Sequence, residues 1–112
     1  MGDSILTSRK KMLGIAEEYE IFDLDIIMHI NTVFMTLNQL GVGPSDIFRI
    51  EDKNDMWSDF ISDEKQLNGI ETYVYLKVRL VFDPPLNASV LEAMKQTISE
   101  LEWRLNVEAE SK

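Results

Sequence analysis

The sequence has 112 residues, 45% of them hydrophobic, which suffices for one compact domain with a modest core and not for two. Twenty acidic residues against eleven Lys and Arg leave a formal net charge of -9, so the chain as a whole repels a phosphate backbone and general nucleic-acid binding is disfavoured. The absence of cysteine excludes disulfides, thiolate zinc sites and thiol nucleophiles, and gives no sign of an oxidising compartment.

The first residues lack a basic stretch followed by an apolar run, so no signal peptide is expected. The longest nearly apolar stretch, 73–82, is interrupted by Lys77 and Arg79 and falls well short of the roughly 20 residues a bilayer requires. A soluble chain folding in the cytosol is the expectation.

Residues 3–13 read as a short first helix. Asp3 or Ser4 can accept from free backbone N–H groups at its start, and Ile5, Leu6, Met12 and Leu13 make an apolar side. Arg9, Lys10 and Lys11 form the one basic cluster, to be read as an exposed helix face or as a dock for an acidic partner. Residues 17–23 have no clean period and are expected to link two helices, with Ile21 and Phe22 tucked against the core and Asp23 as the next N-cap.

The helical signal is strongest over 24–40, where Ile26, Ile27, Ile30, Val33, Phe34, Leu37 and Leu40 recur at spacings of three and four. This helix should stop at Gly41, in the left-handed conformation, with Val42 folding back on the last turn and Gly43-Pro44 opening a loop. Over 45–64 the pattern weakens. Phe48 and Ile50 alternate with Arg49, and Lys53-Asn54-Asp55 can turn, which fits a small hairpin or an irregular excursion. Asp46, Glu51, Asp52, Asp55, Asp59, Asp63 and Glu64 face only Arg49 and Lys53 here, and Trp57 and Phe60 are expected to anchor the segment.

The stretch 67–83 is ambiguous. Val74, Leu76, Val78, Leu80 and Phe82 alternate as in a strand, and propensity favours that reading, whereas length favours a helix that is apolar nearly all round and therefore central. Pro84-Pro85 ends the element in either case. The last helix spans about 88–105, with Asn87 as cap, Ser89 with Glu92 as a rival capping box, and Leu91, Met94, Ile98, Leu101 and Leu105 as its stripe. Trp103 sits at the edge of the stripe, where a large aromatic often meets a partner, and 106–112 read as a mobile tail. The whole is a single all-α domain over 1–112, a small bundle of about four helices with a hairpin or irregular excursion between the second and third long segments.

Nothing here announces catalysis. His29 is the only histidine, so neither a triad nor an imidazole metal cluster can form within one chain. The run beginning at Asp52 resembles a calcium loop only loosely, because Trp57 stands sixth where glycine is needed and Asp63 stands twelfth in place of Glu. Gly41-Val42-Gly43-Pro44 lacks the Lys and Ser/Thr of a phosphate loop. No catalytic residue, metal ligand or cofactor is assigned, and an enzyme is not expected.

Four runs in order carry a resemblance: Asp23-Leu24-Asp25-Ile26-Ile27-Met28-His29-Ile30-Asn31, Leu40-Gly41-Val42-Gly43, Trp57-Ser58-Asp59-Phe60, and Tyr73-Val74-Tyr75-Leu76-Lys77-Val78-Arg79-Leu80-Val81-Phe82-Asp83-Pro84-Pro85. With the closing Ser99-Glu100-Leu101-Glu102-Trp103-Arg104-Leu105-Asn106, the chain resembles head-tail connector proteins of tailed bacteriophages and prophages over about residues 5–107. The resemblance implies that 67–83 is helical and that the chain forms a ring, taken as dodecameric, below the portal in the virion neck. Such a ring, assembled in the host cytoplasm, would prolong the DNA channel and dock the tail-side connector or terminator protein. Viral DNA would pass through it without sequence-specific binding, repelled by carboxylates on the wall, and no membrane is involved.

Ring packing of this kind is heterologous, one surface against a different one. Arg9, Lys10 and Lys11 are candidate complements of the acidic excursion with Asp52 and Asp55, and Trp103 with Arg104 and the tail is a second candidate contact, to portal or to the next subunit. Two other classes stay open. A regulator binding DNA through a helix pair is disfavoured by the charge and by the lack of a basic recognition helix. A monomeric acidic mimic of nucleic acid would use 46–64 as its surface.

Overall fold

The computed structural model describes residues 3–110, which form five helices and no strand: α1 (Ile5–Met12), α2 (Asp23–Gln39), α3 (Trp57–Phe60), α4 (Glu64–Phe82) and α5 (Ala88–Glu110). The all-α bundle expected from the sequence is the observed architecture. The ambiguous stretch is helix α4. It buries Leu67, Ile70, Tyr73, Val74 and Val78, a three-and-four spacing that the strand-like alternation had overlain. α2 packs on α4, α5 packs on α4, and α1 rests on α2, within a slab of 39 × 36 × 20 Å.

Local chemistry sets the boundaries. Ser4 Oγ accepts from Thr7 N–H at 3.1 Å and caps α1. α2 ends as expected: Gly41 has φ +85°, its N–H donates to Asn38 O at 3.0 Å, and the buried Val42 donates to Leu37 O at 2.9 Å. Asp63 Oδ1 accepts from Lys65 N–H at 2.9 Å at the start of α4. For α5 the cap is Asn87, whose Oδ1 accepts from Ser89 and Val90 N–H at 2.8 and 3.1 Å; the rival box at Ser89 is not used.

Three expectations are corrected. Asp23 is the first helical residue of α2, with Phe22 in the N-cap place and no side-chain cap. Ile21 and Phe22 are not tucked into the core, Ile21 being 71% exposed; the Phe22 ring instead meets Tyr19 and Phe82 edge-on at 5.8 and 5.4 Å. Helix α5 continues through Glu110, so 106–110 are not a loose tail: Asn106 Nδ2 donates to Leu40 O at 3.2 Å and Ala109 packs against the core. Residues 111 and 112 of that segment lie outside the described residues.

The excursion between α2 and α4 is irregular rather than a hairpin. Its place is fixed by Asn31, whose Nδ2 donates to Ile50 O at 3.0 Å while its Oδ1 accepts from Ile50 N–H at 2.8 Å, so a side chain supplies what a neighbouring strand would. Trp57 and Phe60 anchor it as expected, fully and nearly fully buried. The rings of Phe34, Phe48 and Phe60 meet one another at centroid distances of 4.7 to 5.3 Å. A single antiparallel bridge joins Ser4 to Met56, flanked by hydrogen bonds of 3.0 Å from Ile5 N–H to Asp55 O and from Trp57 N–H to Asp3 O.

Candidate interaction surface

The basic cluster is not an exposed face. Arg9 is buried, with Nη1 donating to Glu71 O at 2.6 Å and its guanidinium 5.3 Å from the Trp57 ring centroid. Burial pushes its pKa below the ordinary value, opposed by the charges of Glu71 and Asp3. Lys10 is 2% exposed; Nζ donates to Glu17 O at 2.9 Å and lies 2.8 Å from Asp23 Oδ1, an ion pair held by proximity rather than by a directed hydrogen bond. Both side chains therefore tie α1 to α4 and to the 17–23 linker, and neither charge is free for a neighbour. Of the three, only Lys11 is exposed.

Asp52 is exposed and Asp55 half-buried, and their carboxylates hold their own loop. Asp55 Oδ2 accepts from Glu51 N–H at 2.7 Å, and Asp52 Oδ1 accepts from Asn54 N–H at 2.8 Å. Because Ile5 N–H bonds Asp55 O, the acidic loop lies beside the start of α1 of the same subunit. Trp103 is 67% exposed, and Arg104 pairs with Glu100 at 2.7 Å one turn back.

A surface the sequence reading passed over lies on α2. Leu24, Met28 and Met35 are 78, 66 and 50% exposed, and their spacings of four and seven place them on one side, away from the buried Ile26, Ile30, Val33 and Leu37. The stripe runs about 16 Å along the helix. With Ile47 and Arg49 from the excursion and Asn31 and Thr32 from α2, Met28 and Met35 line a groove of about 450 Å³. The signal was present in the sequence as a second apolar spacing on the same helix, masked by the stronger core stripe.

A family model described as Phage connector protein matches residues 5–112. The chain belongs to the phage connector protein family. No curated protein and no solved structure matches it. A connector is a structural component of the phage that meets other head and tail proteins, so its functional sites are surfaces.

Two such surfaces of the connector combine apolar area with charge. On the α2 groove the charge is Arg49, exposed and without a carboxylate in ion-pair distance among the described residues. On α5, Trp103 and Val107 are exposed one turn apart, and Glu100 and Glu110 share their side of the helix by spacings of three. Between α4 and α5 the connector is braced by Tyr73, whose hydroxyl donates to Glu102 Oε2 at 2.6 Å, with Lys77 Nζ at 3.8 Å from the same oxygen. Burial, then the hydrogen bond to Glu102 and its charge, raise the Tyr73 pKa. Among the described residues no helix is long and apolar enough to cross a membrane, and no group of three or more His, Asp or Glu is placed to hold a metal ion.

Proposed function

We propose that the connector assembles into a closed ring in the virion neck, between the portal and the tail-side proteins, and prolongs the channel through which the genome passes. The observation that carries this reading is the outward stripe of α2. A helix that buries one apolar side and exposes a second, as α2 does with Leu24, Met28 and Met35, has a face made for another protein. The net charge of -9 supports passage of DNA without adhesion to the wall. The reading assigns the chain no catalysis and no cofactor.

Electron microscopy of the purified connector, alone and mixed with its portal protein, tests the proposal. The expected result is a ring with a central opening, coaxial with the portal when both are present. A connector that stays monomeric in both preparations overturns it and favours the acidic adaptor reading.

A further inference from the structure

We propose that the α2 groove of one subunit receives the Trp103 and Val107 side of α5 from a second copy of this chain. The inference rests on the ring reading above and names the two faces that close it. Within one subunit α2 and α5 both pack on α4, and they approach one another where Asn106 meets Leu40 and Ala109 meets Gly41. The groove and the α5 ridge are therefore separate surfaces, as a head-to-tail contact requires.

Charge decides between the possible pairings. Groove against groove would set two Arg49 side chains together, and ridge against ridge would bring the exposed Glu110 carboxylates of both copies together, Glu100 being already paired with Arg104. The crossed pairing brings Arg49 to Glu110. It also covers Met28, Met35 and Ile47 with the indole of Trp103, the type of side chain that most often dominates a contact of this kind.

The chain lacks cysteine, so linkage chemistry can be placed at will. Met28→Cys and Val107→Cys, both at exposed positions, would be made singly and together and treated with a short bis-maleimide under the conditions in which rings are imaged. Mixed single variants are expected to give linked dimers and nothing larger, and the double variant a ladder of multimers. Arg49→Glu is expected to weaken self-association about tenfold with thermal unfolding unchanged. Homodimers from either single variant, or rings that form without linkage in the double variant, overturn the pairing and leave the ring reading standing. Absence of any assembly of the unmodified chain removes both.

Discussion

The amide of Asn31 both donates to and accepts from Ile50, a residue 1% exposed, so removing it strands a backbone N–H and a carbonyl that the surrounding packing shields from water. Asn31→Ala is expected to cost about 2 kcal/mol, read as a lowered urea midpoint with an unchanged slope. Tyr73 carries a prediction with a sign in pH. Its folded pKa lies above the unfolded value of about 10, so its contribution is fully present below that pH and falls away as the unfolded phenol ionises first. Unfolding midpoints measured from pH 8 to pH 11 should decline more steeply for the natural chain than for Tyr73→Phe, whose stability at neutral pH is lower by about 1 kcal/mol. Parallel curves would remove this role from Tyr73.

At the scale of elements, glycine tests how closely the excursion is fitted to the helices. Gly41 and Gly43 have φ of +85° and +89°, but a Cβ at Gly41 meets Ala109 at 3.3 Å, whereas at Gly43 it would lie 2.5 Å from the Phe60 ring. Gly41→Ala should cost about 1 kcal/mol, chiefly the conformational penalty with a shift of a few tenths of an ångström at Ala109, and Gly43→Ala about 3 kcal/mol because Phe60 is wedged against Phe34 and Phe48. Calorimetric unfolding of the two variants separates the terms. Helices α2 and α5 were legible in the sequence because their core residues repeat at three and four and their ends carry Gly41 and Asn87. Helix α4 was not legible from periodicity, since a central helix shows apolar residues on several sides and its alternation mimics a strand; the family resemblance resolved it. The burial of Arg9 left no local signal, because the carbonyl that receives it belongs to Glu71, 62 residues away. A long aliphatic stem lets a basic residue cross packed surface to reach such an acceptor.

For the molecule as a whole, the exposed α2 stripe separates folding from assembly. Met28→Glu and Met35→Glu touch nothing in the core, so each should leave stability within about 0.5 kcal/mol and, on the proposed ring reading, shift sedimentation toward the monomer. The charge makes an independent prediction: the connector should show no retention on duplex DNA even at low salt, and binding that falls steeply as salt rises would revive the regulator reading. The contacts of α1 also set an order of events during synthesis. Its start is bridged to Met56 and bonded to Asp55, Ser8 Oγ accepts from the Trp57 indole N–H at 3.0 Å, and Arg9 ends on Glu71. Helix α1 therefore leaves the ribosome well before the residues that shelter Arg9, which completes its contacts only once the first two turns of α4 have been made.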